Sequence, residues 1–447
     1  MKALAAAGFA GGLAGCSGGG GGDGGDGGDG GDGGSTPTPS GDGGGGSDGG
    51  DGGGSQFSNT LEVLHGWAGG DGEKAITALT DLFKQKYPEM DTTFQAVGAS
   101  ANVNLNATIL RRLSNNNPMS SFANWPGKNL ERYRGALGDF SNVWEEAGYM
   151  DKMQGRAVEL HKFNGKMPAV PIGSHRLNNL FFTIDAFEQA GVSAEDVTSI
   201  DAFMDALDSI QQNTDYVPMA QAKKAPWTGL QLFAQILMSN SGIPAYEDFI
   251  AGEGDRQQVL DALNILAEIE KNYITEDASS ISFTTAGQKM IKGETATMHQ
   301  GNWVYGMFRA DSGYNFQDQW DWKAFPGTEG TYTYHLDSFV APANNPSQAE
   351  TEAWLKFVGS KEAQVTFNNP KGSVPLRTDI DSNKLTDFLK ITYEDLTSSD
   401  AYPPTIAHGL AVGPEKMGSA KEAISNNMMG PYDPEAAADA LLDAVSN

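Results

Sequence analysis

The chain has 447 residues and a formal net charge of −27, from 30 Lys and Arg against 57 Asp and Glu. Seven of the aspartates and one lysine precede Phe57, so the rest keeps −21, a balance that repels phosphate and argues against a nucleic-acid partner. No apolar run reaches the roughly 20 residues that span a bilayer, and the single cysteine, Cys16, allows no internal disulfide.

Residues 1–16, MKALAAAGFAGGLAGC, read as a signal segment: Lys2, a modest apolar run, then small residues before the cysteine. Leu13, Ala14, Gly15 and Cys16 resemble the lipobox of bacterial and archaeal lipoproteins. That resemblance implies lipidation of the Cys16 sulfur and cleavage just before it. Residues 17–56 follow a Gly-Gly-Asp period. Collagen needs Gly at every third position with abundant Pro, and calcium-binding β-rolls need an apolar residue in each repeat. Neither condition is met, so the segment reads as a disordered, slightly charge-stretched tether with a root-mean-square reach of roughly 35 Å.

From Phe57 the composition becomes that of a folded body, long enough for two packed lobes. NTLEVLHGWAGGDGEKAITALTDLFKQKYPEM predicts a strand, a Gly-rich loop and a helix with Ile76, Leu79, Leu82 and Phe83 on one face. DTTFQAVG predicts a second strand and NVNLNATILRRLSNNNP a second amphipathic helix, which together make a βαβα start and a parallel α/β sheet. FNGKMPAVPIGS reads as a hairpin entering an extended crossing, and LNNLFFTIDAFEQAGV opens a new strand–helix unit. Three amphipathic helices follow, then GETATMHQGNWVYGMF as a buried strand running into a helix. TYTYHLDSFVAPANNP reads as an alternating strand, PSQAETEAWLKFVGSKEAQVTFNN as one long helix, and PEAAADALLDAV as a helical end. The acids are spread rather than blocked, which suits a carboxylate-solvated surface of the kind found in concentrated salt better than a patch for a cationic partner.

Catalytic and metal patterns are missing. The six histidines show no i, i+4 pair of a zinc helix, and no Gly-x-Ser-x-Gly elbow occurs. Glu145 and Glu146 are adjacent and point apart. GWAGGDGEKAIT brushes the phosphate-loop pattern and fails it, because Glu73 precedes Lys74 and Ala75 follows. Asn106 begins a short glycosylation sequon on a predicted helix.

The ordered set GWAGGDGE, KQKYP, GETATMHQGNW, DSFVAPANN and WLKFVGSKEAQVTFN resembles the extracellular solute-binding proteins of ABC transporters. Within them it is most similar to the sugar-binding, glucose/mannose-type group, over residues 60 to 445. The resemblance implies a two-lobed, class II periplasmic-binding-protein-like α/β fold with the ligand in the cleft between lobes. It divides the chain into lobe 1 at 57–172 plus 302–344 and lobe 2 at 173–301 plus 345–447, with crossings near 173 and 302. It implies capture of a mono- or small oligosaccharide by hinge closure and delivery to the membrane permease, without catalysis or cofactor. The protein would be a monomer on the outer face of the membrane. An exported glycosidase and a surface adhesion protein are the rival readings; sugar cleavage would mark the first, absence of saturable sugar binding the second.

A sugar offers hydroxyls and flat C–H faces, so its site needs aromatic plates and bidentate polar groups. Trp67 stands in a Gly-rich loop and reads as a stacking plate or as core. Glu73 reads as a hydroxyl acceptor or as the acid of a helix start. Asn124 and Trp125 lie in a Pro/Gly-marked loop, His175 and Arg176 in the first crossing, with His175 toward ligand and Arg176 in a structural pair. Trp227 reads as the opposing plate, and Asn302 and Trp303 lie at the expected second crossing. Asp337, Lys371 and His408 match polar contact positions of the resembled group. The chain departs from that group's pattern at Gly66, Ala123, Trp125 and Asn302, which bears on which sugar is preferred. Trp144, Trp320, Trp322 and Trp354 read as structural.

Overall fold

Among the described residues, nine strands, divided between two sheets, organise the body. They are β1 (Leu61–His65), β2 (Thr92–Ala96), β3 (Ser121–Asn124), β4 (Ala169–Arg176), β5 (Asn179–Thr183), β6 (Val217–Met219), β7 (Thr295–Gln300), β8 (Trp320–Ala324) and β9 (Tyr334–Val340). The structure is a computed structural model that describes residues 57–446 apart from 69, 99–101 and 311–312. Residues 55–447 form one compact unit; Cys16 and the 17–56 segment lie outside the described residues.

The first sheet has the order β2-β1-β3-β9-β4, with β1 parallel to β2 and β3, as the βαβα start predicts. It is a mixed sheet, because β9 returns antiparallel between β3 and β4. Every residue of β4 and β9 is buried, including His175, His335 and Asp337. Before β4, the Phe163–Lys166 bridge closes the predicted hairpin through Asn164 and Gly165, both at positive φ (51° and 76°), where glycine and asparagine are the residues that fit. The second sheet has the order β6-β7-β5-β8 and is also mixed. Its core gathers Leu180, Phe203, Leu207, Leu230, Phe233, Leu263 and Leu266 from the surrounding helices. The result is a two-lobed α/β fold. Among the described residues no helix is long and apolar enough to cross a membrane.

The lobe boundaries differ from the expected ones in three places. The 302–344 segment does not lie wholly with the first sheet: β8 pairs with β5, from Thr183↔Trp320 to Asn179↔Ala324. The 302 region is therefore no lasting crossing: the helix Val304–Ala310 touches the first-lobe helix Gly70–Lys86, and Arg309 donates to the Asn369 carbonyl (3.0 Å), but β8 is back on the second sheet. The return runs through Phe325–Thr333, laid beside Leu177 and Asn178. There the Asn178 amide donates to the Thr328 hydroxyl (3.0 Å) and Thr331 carbonyl (2.9 Å), and its oxygen accepts from the Thr333 N–H (3.1 Å). Third, residues 348–371 belong with the first sheet rather than the second lobe. Trp354 is fully buried edge-on to Phe83 (5.0 Å) and Phe339 (4.8 Å), and the Asn368 amide donates to the Ile172 carbonyl (2.8 Å). The predicted long helix is two, Gln348–Val358 and Lys361–Lys371, because the Ser360 hydroxyl accepts from the Ala363 N–H and starts a new helix. The chain is back in the second lobe's core by Ile406 and Ala407 and ends there with the helices Pro414–Asn427 and Pro434–Val445.

Candidate functional site

Strand alternation begins the site. In the antiparallel β4–β9 pair His175 lies opposite His335 and Gly173 opposite Asp337, so both histidines and the carboxylate share one face. The two imidazoles stack at 5.6 Å with 19° between planes. Asp337 lies between them, 3.3 Å from His175 Nε2 and 3.6 Å from His335 Nε2. Burial alone would raise its titration, but the bonds from His175 and His335 hold the carboxyl well below the usual carboxylate range. Burial, helped by the Lys371 charge, holds His175 down to about 4, so the pair at neutral pH is a carboxylate and a neutral imidazole.

Loops at the ends of other elements bring aromatic rings onto this face. Trp125, just past β3, stands edge-on to His335 and to His408, each at 5.3 Å. Trp303, just past β7, lies 5.1 Å from His175, 6.0 Å from His335 and 5.6 Å from His408. Trp227, in the first turn of the helix Pro226–Ser241, lies 5.3 Å from His408 and 6.2 Å from Trp303. Pro226 at that helix's start needs no N–H partner there and fixes the entry of the chain. His408 closes the ring set 4.6 Å from His335, with its Nε2 3.2 Å from Gln231 Oε1. Burial is the first cause that holds it well below 6.5. Gln231 in turn donates to Gln300 Oε1 (3.1 Å), which also accepts the Gly301 N–H.

Asn302 lies with its Oδ1 2.8 Å from His175 Nδ1, while its Nδ2 is buried without a partner. A neutral imidazole donates from one nitrogen only. If Nε2–H goes to Asp337, Nδ1 accepts and the amide turns its nitrogen to it. In either orientation Asn302 keeps one polar atom without a protein partner. Trp303 Nε1 and His335 Nδ1 are also buried and unpartnered. Buried polar atoms left unpaired cost about 1–3 kcal/mol each. Three such atoms in one aromatic-walled cluster are a place for a polar ligand with flat apolar faces.

Of the predicted residues, Trp125, His175, Trp227, Asn302, Trp303, Asp337 and His408 come together here. Lys371 ends the Lys361–Lys371 helix, buried, with its charge acting on His175. Three predicted residues lie elsewhere or are already committed. Trp67 stacks on His65 (6.1 Å) and packs edge-on to Phe339 (5.9 Å) and Phe367 (5.0 Å), all in the first lobe. The nearby glycine serves this packing, since a Cβ on Gly72 would meet Trp67 Cδ1 at 2.8 Å. Glu73 is exposed in the first turn of the helix Gly70–Lys86 and, among the described residues, has no contact with the cluster. Asn124 is saturated by protein: its amide donates to Asn106 Oδ1 (2.8 Å) and contacts the Tyr133 hydroxyl (2.7 Å), and its oxygen accepts from Trp125 N–H (2.9 Å) and Asn129 (2.7 Å). It shapes the loop that carries Trp125. Arg176 pairs structurally, with a 2.6 Å bond to Asp395 and its guanidinium 4.5 Å over Trp322.

Sequence reasoning missed His335, Gln231 and Gln300. The first had a signal: it lies two residues before Asp337 in an alternating strand, hence on the same face. Gln231 also had one, four residues after Trp227 on the same helix face.

The chain is 68% identical to a xylose/arabinose-binding protein of Haloferax volcanii over 88% of its own length and 86% of that protein's. An ABC transporter extracellular-binding protein of Pyrococcus horikoshii is 29% identical over 86% and 87% of the two chains. Among solved structures, a chitin oligosaccharide binding protein superposes with a TM-score of 0.75 at 18% identity, covering 87% of this chain and 98% of that one. A bacterial solute receptor with a preference for β-D-galactopyranose gives 0.75 at 17%, covering 87% and 97%. Residues 77–390 match the model of the bacterial extracellular solute-binding protein family; the chain belongs to that family.

Proposed function

We propose that this protein is the sugar-capturing subunit of an ABC importer, anchored at the outer face of the membrane by a lipid on Cys16. Its ligand is a mono- or small oligosaccharide, with pentoses first in line because the 68% identical relative is a xylose/arabinose-binding protein. Trp125, Trp227 and Trp303 supply the plates for the sugar's C–H faces; Asp337, Asn302, His175, His335, His408 and Lys371 supply hydrogen bonds to hydroxyls. Trp125 comes from the first lobe and Trp227 and His408 from the second. A sugar between them therefore favours the closed arrangement over the open one, and the closed monomer is what the permease accepts.

The observation that carries this reading is the trio of buried, unpartnered polar atoms, Asn302 Nδ2, Trp303 Nε1 and His335 Nδ1, inside the aromatic ring set. Among the described residues Asp337 is the single carboxylate of that set, whereas glycoside cleavage uses a pair. Isothermal titration against xylose, arabinose, glucose and their disaccharides, with tryptophan fluorescence alongside, tests the reading. Saturable binding with the sugar recovered intact is expected; no binding by any sugar, or cleaved product, overturns it. Mass spectrometry of the native N-terminus tests the anchor, with a lipidated Cys16 as the first residue expected.

A further inference from the structure

The orientation of three side chains in the cluster follows from one backbone N–H. Gln300 ends β7, and one atom of its amide lies 3.1 Å from the Gly301 N–H. An N–H only donates, so that atom is the oxygen, Oε1. Gln231, four residues after Trp227 on the helix Pro226–Ser241, approaches the same oxygen at 3.1 Å. Two oxygens would repel there, so Gln231 turns its NH2 to Gln300 and its own Oε1 away. That Oε1 lies 3.2 Å from His408 Nε2, in the turn that follows the last crossing. An amide oxygen only accepts, so Nε2 carries the hydrogen. The imidazole turned over would set a carbon, Cε1, against the oxygen and forfeit the bond. All three side chains are buried, where a lost bond is not replaced by bulk water.

His408 is uncharged at neutral pH. Burial first, then the charges of His335, Lys421 and His175, outweigh the pull of Asp337 and hold it well below 6.5. A neutral imidazole with its hydrogen on Nε2 has a bare lone pair on Nδ1. Among the described residues nothing bonds to that nitrogen. At His175 the corresponding nitrogen is already used: Nε2 faces Asp337 at 3.3 Å, and Nδ1 meets Asn302 at 2.8 Å. His408 keeps its lone pair, and it does so inside the ring set. Trp125, Trp227, Trp303 and His335 surround it with ring centroids 5.3, 5.3, 5.6 and 4.6 Å away.

We infer that Gln300 and Gln231 are positioning residues for ligand specificity: they fix His408 with its hydrogen on Nε2 and so make Nδ1 a hydrogen-bond acceptor for a ligand hydroxyl. This rests on the sugar reading of the cluster and adds to it which side of the contact brings the hydrogen. The ligand class is a sugar whose hydroxyl at this place is free. A fluoro or methoxy group there sets lone pair against lone pair with no hydrogen between them, and weakens binding roughly ten-fold or more. The discrimination comes from the relay and not from His408 alone, since an imidazole free to move its hydrogen to Nδ1 would accept either kind of group.

The test is nitrogen-15 NMR of the full chain with labelled histidine at neutral pH, His408 being assigned through His408→Gln. In the free protein Nε2 should resonate as a protonated nitrogen and Nδ1 as a bare one. Saturating xylose or arabinose should move Nδ1 toward the hydrogen-bonded range and leave Nε2 in place. Gln231→Met keeps the side chain's length and removes both of its bonds. In that variant the two nitrogens should average between tautomers, and sugar affinity by isothermal titration should fall about ten-fold. Of the xylose derivatives with each ring hydroxyl in turn replaced by fluorine, at least one should bind roughly ten-fold weaker and leave Nδ1 unmoved. A hydrogen on Nδ1 in the free wild type overturns the inference, and so does a His408 spectrum unchanged in Gln231→Met. Sugar that binds without moving Nδ1, or fluorinated sugars that all bind like the parent, also overturn it and leave the sugar reading standing. Binding of no sugar overturns the sugar reading and the hydroxyl contact with it, while the spectrum of the free protein still decides the tautomer.

Discussion

Acidification should unfold this protein well above the range where its carboxylates titrate, because five histidines are buried in the neutral form. His65, His161 and His175 are held down to about 4 and His299 to about 3, with burial the first cause in each; His408 is held well below 6.5, also by burial first. The unfolded chain protonates these imidazoles near 6.5, so it gains protons before the folded one does. The stability they contribute is intact above pH 6.5 and is lost as pH falls from there toward the folded values. At about pH 5.5 each imidazole has lost about 1.4 kcal/mol, or about 7 kcal/mol for five. One group works in the opposite sense: burial raises the Glu270 carboxyl from 4.5 to about 7, so protonation favours the folded state between those values. That returns about 2 kcal/mol by pH 5.5. The net loss, about 5 kcal/mol, is the size of a whole domain's stability. Urea denaturation followed by circular dichroism at pH 7.5, 6.5 and 5.5 reads it out directly. A steep fall below pH 6.5 is expected, its slope equivalent to roughly four protons taken up on unfolding. In His299→Gln the slope should drop by about one proton. Stability that stays flat from pH 7.5 to 5 would refute the assignment of these rings as neutral and buried.

Three further outcomes follow from the site and its support. Asp337→Asn removes a buried charged acceptor, so sugar affinity by titration calorimetry should fall about ten- to a hundred-fold, as 1.5–3 kcal/mol implies. Wild-type affinity would remove Asp337 from the site. Trp227→Ala deletes the second lobe's plate and should cost about 2 kcal/mol of binding, with the fold unchanged by circular dichroism; an unaltered titration would place the sugar elsewhere. Lys223→Met leaves Glu270 buried without the ammonium now 2.8 Å away, and should destabilise the second lobe by about 3–5 kcal/mol in urea. Because Lys223 lies four residues before Trp227, sugar affinity is expected to fall as well. Unchanged stability would show that Glu270 is held by something other than this pair.

What could be read ahead of the structure was what local pattern carries. Strand alternation, helix faces and Gly/Pro-marked loops placed Trp125, Trp227 and Trp303 at element ends, where the structure keeps them. What could not be read was adjacency made by long returns of the chain. Residues 348–371 dock beside β4, nearly 200 positions away in sequence, because Trp354 and Asn368 complete the first sheet's packing. β8 joins β5 for the same kind of reason, and neither choice leaves a trace in periodicity. Asn124 and Trp67 show the local limit. The residue types suit a sugar site, yet Asn106, Asn129 and Tyr133 use up one, while Phe339 and Phe367 absorb the other. The converse case is Asn302, Trp303 and His335. Hydropathy treats a buried polar atom as a cost to be matched by a partner. These three lie where β7, β9 and the crossing meet, and the protein leaves one atom of each unmatched. Partners for atoms of this kind come from water or from a ligand. The larger aromatic core beside it has unpartnered atoms too, at Trp320 and Trp354; what separates this cluster is that its three share their surroundings with the Asp337 carboxylate and the imidazoles of His175 and His408, a mixture of plates and polar groups that suits a ligand rich in hydroxyls.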